Sequence, residues 1–442
     1  MSKDSNGTRG HHPSRRDFLA TSAKIGAGVA LAGAGLDLAP RKANAAGVTL
    51  NYIGNIDNIF PHSQQGLLKQ FEALHPGVTC NFVAAPNNGS SDAYHNKLVT
   101  IFAAHDGSID VFDSDVIWQA SWAPAGWAAP LDKVFPASAQ KNYVGAMITA
   151  DTVGGHIYGI PWLFDVGHLF YRKDILDANG LKPATTWQEL VRQCLLLKKK
   201  YPSMIGYVGC GEKGQQLICN FMEFAWGNGG DMLDAKGNVV FNSSQNVEAL
   251  SYLVDMVNKY KITQPGFVSM PLDTGRAIFT QGNAIYHRNW NYAYAGAQAV
   301  PKIAGKVGAV NVPTFPGFPP GNCAGGWQYV VNEFSANRDL AIELALFMGS
   351  KPAQKWRTLN GSQTPAYLSL CYDPQVDAKY PAYPVLAEQA KFARSRPKTP
   401  YWIQMSQSAE AELTNALTKS KSPKQALNDA SAQIEKILSG NS

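Results

Sequence analysis

The run Tyr158 to Leu176, Y-G-I-P-W-L-F-D-V-G-H-L-F-Y-R-K-D-I-L, sets one carboxylate, Asp165, among Trp162, Phe164, Phe170 and Tyr171. A carboxylate surrounded by large apolar rings is costly unless something polar satisfies it. Two arrangements would do so. Arg172 or His168 could be a buried partner. Alternatively, ligand hydroxyls could donate to Asp165 while ring faces cover the ligand's C–H surfaces. The second arrangement suits a sugar.

A second group of carboxylates lies in Asp110-Val-Phe-Asp113-Ser-Asp115. The strand pleat puts Asp113 and Asp115 on one face and Asp110 on the other. A calcium loop needs more oxygen ligands and a glycine turn, so a strand-end site for hydroxyl groups fits better than a metal. Gly209-Cys-Gly211-Glu-Lys-Gly214 matches G-x-G-x-x-G between a strand and a helix, and Asp231 stands about 20 residues on, where a ribose-binding acid would. This motif carries the rival reading of an exported NAD(P)-dependent sugar oxidoreductase. Asp231, however, follows a Gly-rich turn with no apolar strand before it, and a turn that lets backbone approach a cleft accounts for the glycines. No G-x-S-x-G, H-E-x-x-H or Walker A pattern occurs. Paired carboxylates for glycoside hydrolysis stay open, because their separation is a three-dimensional quantity. The six cysteines show neither C-x-x-C spacing nor a clustered histidine, so no metal centre and no cofactor are expected. They fit disulfides and buried free thiols equally well.

The elements that would position these groups alternate. Val48 to Ile53, Val78 to Val83 and Ile109 to Phe112 read as strands, separated by helices over Ser63 to Leu74 and Asp92 to Ala104. That order implies an α/β fold with a parallel sheet and right-handed crossovers. Ligands then sit beyond the strands' C-terminal ends, which here carry Asn55 to Asn58, including Asp57, and Asp113 to Trp118. Helices follow over Trp187 to Lys200, Gln215 to Trp226 and Ser243 to Tyr260. Strands follow over Ile205 to Val208, Val307 to Val312 and Gly326 to Val331.

Several segments resemble family 1 extracellular solute-binding proteins, the maltose- and trehalose-binding group of ABC importers. They are I-P-W-x-x-D-x-G from Ile160, F-x-x-x-H-P-G-V from Phe71, D-V-I-W ending at Trp118 and W-x-N-G-G from Trp226. R-N-W-x-Y from Arg288 to Tyr292, G-G-W ending at Trp327 and T-P-Y-W ending at Trp402 belong to the same set. The resemblance implies a two-lobed, type II periplasmic binding protein with its ligand cleft between the lobes. It places residues 46–156 and 309–360 in lobe one, and 157–308 and 361–442 in lobe two. It implies a neutral carbohydrate ligand, a di- or oligosaccharide by default, ABC permease subunits as partners, and no catalysis. The ligand set it implies is Asp57, Asp115, Trp118, Trp162, Asp165, Gln215, Trp226, Trp290, Tyr292, Gly326, Trp327 and Trp402. Two departures stand out: Gln215 replaces a sugar-contacting Glu, and the loop Gly361 to Tyr367 lacks the Arg often found there.

Ser14-Arg15-Arg16-Asp17-Phe18-Leu19 reads as a twin-arginine export signal ahead of a Gly/Ala-rich segment, with an Ala43-Asn44-Ala45 cleavage site. A periplasmic mature chain of 397 residues starting at Ala46 is expected. The first 45 residues take much of the formal charge of +6 with them, leaving 32 basic and 30 acidic side chains. Such a balance, with Lys198-Lys199-Lys200 as the one tight basic run, points away from nucleic acid; a monomer is expected. Ten tryptophans and eighteen tyrosines favour a neutral ligand with apolar faces.

Overall fold

Apolar alternation followed by a clean helix stop recurs from Val48 onward, and each repeat adds a strand to a sheet. The computed structural model describes residues 47–54, 63–86 and 91–440. The export signal, the cleavage site and Asp57 lie outside the described residues. Strand β1 (Val48–Gly54), helix α1 (Ser63–Leu74), β2 (Val78–Ala84), α2 (Asp92–Ala103) and β3 (Val111–Asp115) follow the expected alternation. β1 is parallel to both β2 and β3 and lies between them. Leu67, Leu68 and Phe71 turn one face of α1 into the core.

A short hairpin, β4 (Thr152–Val153) with β5 (His156–Ile157), leads into β6 (Ile160–Val166). Every residue of β6 is buried, as a strand covered on both faces requires. β7 (His168–Arg172), α3 (Trp187–Lys200), β8 (Ile205–Val208), α4 (Gln215–Trp226) and α5 (Ser244–Asn258) follow. Then come β9 (Ala284–Asn289), α6 (Tyr292–Gln298), β10 (Val307–Asn311) and β11 (Asn322–Val331). α7 (Arg338–Gly349), α8 (Lys351–Gly361), β12 (Ala393–Arg394), α9 (Trp402–Leu417) and α10 (Pro423–Leu438) complete the set used below.

Two sheets result. The first runs β12-β11-β3-β1-β2 with β6 also paired to β11, and the second runs β10-β7-β9-β8. Each has its own apolar core: Leu50, Phe71 and Tyr329 belong to the first, while Trp187, Leu217 and Leu413 belong to the second.

The chain changes sheets later than the lobe boundaries expected at 156/157, 308/309 and 360/361. β6 hydrogen-bonds in the first sheet and β7 in the second, so the first crossing is at Gly167. Both halves of the run are apolar, and only a glycine marks the break. That glycine is required, because a Cβ there would lie 1.8 Å from Glu223 Oε1. The return crossing is the Pro/Gly-rich linker between β10 and β11. The third begins after Leu370, since Pro365 and Tyr367 still bridge Leu163 and Tyr143 of the first lobe. Cys371 packs instead with Phe170 and Val208.

Candidate ligand-binding cleft

β11 brings the candidate residues together. Its Trp327 pairs with Asp115 at the C-terminal end of β3, and its Gly325 pairs with Asp165 on β6. Cross-strand partners share a face, and residues two apart on a strand do too. Asp115, Trp327, Gly325 and Asp165 therefore face the same way. Trp290, from the turn after β9, closes on them from the second lobe. A Cβ on Gly325 would come within 3.0 Å of the Trp290 ring, so glycine is needed for this approach. Gly326 has φ +140°, and a Cβ there would meet the Leu163 carbonyl oxygen at 2.5 Å. Its role is to let β11 run against β6 and present Trp327.

Neither side chain proposed as a buried partner for Asp165 reaches it. Arg172 makes a two-point ion pair with Asp174, and His168 Nε2 lies 2.7 Å from Asn291 Oδ1. Asp165 Oδ1 is buried with no hydrogen-bond partner. Burial pushes the Asp165 carboxyl up to about 8, and neighbouring Asp115 pushes in the same direction. The backbone N–H groups of Asn291 and Tyr292 and the Arg288 guanidinium offset this only in part. Burial also raises Asp115, against the pull of Arg396.

Arg396 is the cleft residue that sequence reasoning missed. Its Nη2 donates to Asp115 Oδ1 (3.3 Å) and to the Ala324 carbonyl (3.4 Å), and its Nη1 donates to Gln215 Oε1 (3.4 Å). Its Nε is buried without an acceptor. The segment Ala393-Arg-Ser-Arg396 just before T-P-Y-W carries two arginines, and nothing local marks which turns inward. Arg394 goes to the surface, where it pairs with Asp231 at 2.7 Å.

The match to the model for bacterial extracellular solute-binding proteins covers residues 62–355. The chain belongs to that family. This solute-binding protein is 29% identical over 375 residues to a probable ABC transporter-binding protein of Deinococcus radiodurans, covering 83% of this chain and 88% of that one. It is 24% identical to the galactooligosaccharide-binding protein of Bacillus subtilis, covering 66% and 68% of the two chains. Among solved structures, maltose-bound MalE3 of T. maritima aligns with TM-score 0.83 and 28% identity over 88% of this chain and 99% of that one. The fold is the two-lobed architecture of periplasmic binding proteins.

Four of the expected ligand contacts are engaged by protein side chains in this solute-binding protein. Trp162 is held between the Tyr329 ring, stacked at 5.6 Å, and the Arg357 guanidinium at 4.0 Å, with Nε1 donating to Asp113. Both its faces and its N–H are taken by the first core. Trp226 ends α4, about 16 Å along the helix from Gln215 at 1.5 Å per residue, and its Nε1 donates to Asp231. Trp402 is buried and donates to Gln215 Oε1 at 3.1 Å. Trp118 stacks on Trp122 and meets Trp327 edge-on at 5.6 Å, so it buttresses the platform. Tyr292 is half-buried at the start of α6, beside Asp165.

Of the three strand carboxylates, only Asp115 faces the cleft. Asp113 accepts from Tyr52 and Trp162, and Asp110 from the Asn51 amide and Ser335. The Gly209–Gly214 turn does join a strand to a helix. However, the first turn of α4 is covered by α9, and Asp231 is engaged by Trp226 and Arg394. Among the described residues, no group of three or more His, Cys, Asp or Glu side chains could hold a metal ion. No described helix is long and apolar enough to cross a membrane. All six cysteines are buried free thiols.

Proposed function

We propose that this solute-binding protein captures a neutral polyhydroxylated ligand, a saccharide or a polyol, between its lobes and delivers it to ABC permease subunits without chemical change. One observation carries the reading. A buried acceptor, Asp165 Oδ1, and a buried donor, Arg396 Nε, both lack protein partners, and both adjoin β11 at Ala324-Gly325. A hydroxyl can donate to the first and accept from the second, while Trp290 and Trp327 offer ring surface for C–H faces. Arg396 is already opposed by Asp115, and Asp165 adds no positive charge that would favour an anionic ligand. The maltose of the T. maritima protein and the galactooligosaccharide of the B. subtilis protein fall in the same chemical class. Arg15-Arg16 and the cleavage site Ala43 to Ala45 support export by the twin-arginine route to the periplasm, where the protein acts as a monomer.

The test is a thermal-shift screen of purified protein against neutral mono- and oligosaccharides, polyols and sugar acids. A ligand binding the folded form alone stabilises it by about 4 kcal/mol at a thousandfold excess over Kd. Neutral saccharides or polyols should raise the melting temperature. A response confined to sugar acids, or turnover of a sugar with a bound nicotinamide, would overturn the reading.

A further inference from the structure

Gln215 was expected to touch the ligand, yet its amide is fully engaged by protein. Its Nε2 donates to Ser406 Oγ at 2.6 Å and to Glu410 Oε1 at 3.2 Å. Its Oε1 accepts from Trp402 Nε1 at 3.1 Å and from Arg396 at 3.4 Å. An amide offers two N–H donors and two carbonyl lone pairs, so no capacity is left for a sugar hydroxyl. Gln215 is also buried, at 2% exposure. Its partners Trp402, Ser406 and Glu410 stand on α9, in the second-lobe core, whereas Arg396 reaches Asp115 and Ala324 of the first sheet.

We propose that Gln215 is a positioning residue that holds Arg396 across the cleft, and that the chain Glu410–Gln215–Arg396–Asp115 latches the two lobes together. The inference rests on the cleft being the ligand site. Gln215 fixes one side of the guanidinium through a network anchored in α9. That contact is 3.4 Å, and the first-lobe side is held by contacts of similar length, 3.3 Å to Asp115 and 3.4 Å to Ala324. A ligand oxygen accepting from the free Nε adds a further hold on the guanidinium between the lobes and favours closure. Removing Gln215 therefore acts through Arg396, not through a lost ligand contact.

The latch predicts a shape change in ligand-free protein. Gln215→Ala and Arg396→Met should each raise the radius of gyration measured by X-ray scattering, and the double variant should raise it no further. With maltose and mannitol as probes, each single variant should weaken binding about tenfold or more, as loss of a charge-assisted hydrogen bond does. The double variant should match the worse single one, since residues acting in one network are non-additive. Gln215→Met keeps the side-chain volume and removes all four hydrogen bonds, so it carries the same test if the alanine variant fails to fold. Unchanged scattering in these variants, or additive affinity losses, would overturn the inference. A scattering shift in a protein that binds neither probe nor any neutral congener would support the latch and overturn the proposed ligand class instead.

Discussion

Ligand affinity should rise with pH, and Asp165 sets the window. In the free protein burial holds its carboxyl at about 8, so at pH 6 only about one molecule in a hundred carries the charged form. A sugar hydroxyl donating to Oδ1 favours the carboxylate, so binding releases a proton. Affinity then climbs by up to about tenfold per pH unit below pH 8 and levels off above it. Between pH 6 and pH 8 that amounts to up to about 100-fold, or about 2.7 kcal/mol at 1.36 kcal/mol per unit. Other titrating groups face the same space. Asp115 is raised by burial and opposed by Arg396, and Glu410 is raised to about 8 within the Gln215–Ser406 network. Asp165→Asn separates their share, because it keeps the shape and removes the titration. The variant should bind about tenfold or more weakly at pH 8.5, from loss of a charged acceptor, and should show a much flatter profile. Calorimetry in buffers of different ionisation enthalpy counts the protons released. A flat wild-type profile from pH 6 to 9, or an Asp165→Asn variant that keeps the full slope, would refute the reasoning.

Two further outcomes concern stability. Glu223→Gln leaves Arg288 buried without its two-point partner and should cost about 3–5 kcal/mol in chemical denaturation; a change below about 1 kcal/mol would show that the pair is replaceable. Asp151 is fully buried, and burial raises its pKa well above normal against the smaller opposing effects of Gln119 and the Lys398 charge. A carboxyl raised in the folded state holds its proton there, so its stabilising effect is complete below the unfolded value near pH 4 and is lost as pH rises towards the folded value. Asp151→Asn should therefore match wild type near pH 4 and exceed it at pH 8, because the amide does not titrate. Melting curves across that range check it.

Periodicity located what is local. The limits of α3, α4 and β8 coincide with the sequence reading, since Thr186 caps α3 through the Glu189 amide and Gly227 follows α4. Asp115, singled out by its strand end, and Asp165, singled out by its aromatic surroundings, both pair with β11, two residues apart. What was not legible is long-range. Arg396 meets Asp115 across 281 residues of chain, and no pattern within a helix or strand encodes that contact. The tryptophans show the same limit from the other side. Trp162 and Trp290 sit in equally aromatic segments, yet one is enclosed by Tyr329 and Arg357 while the other meets a bare glycine. Motif spacing finds such residues, but packing decides what each ring face meets. The short helices between Gly361 and Trp402 went unread because Leu370, Tyr383 and Leu386 are buried across two cores, which breaks any single apolar stripe.

The crossing at Gly167 connects the mechanics of the lobes to the ligand platform. Glu223 Oε1 accepts from the Cys323 amide at 3.0 Å, and the Gly167 amide donates to the Cys323 carbonyl at 3.0 Å. One carboxylate on α4 thus fixes β11 at the point where the β6–β7 crossing bonds to it. Arg288 completes the arrangement: its guanidinium grips Glu223 and also covers the Trp290 ring at 4.3 Å. Only one face of Trp290 is left to turn towards Gly325. A buried ion pair of this kind contributes little net stability compared with an apolar equivalent, so its value here is geometric. It keeps the glycine-lined crossing, the Trp290 platform and the β11 edge beside Asp165 in one rigid unit. Gln215 and Glu223 share α4, so bending between the lobes that moves Gln215 away from Asp115 pivots near Glu223, where this crossing lies.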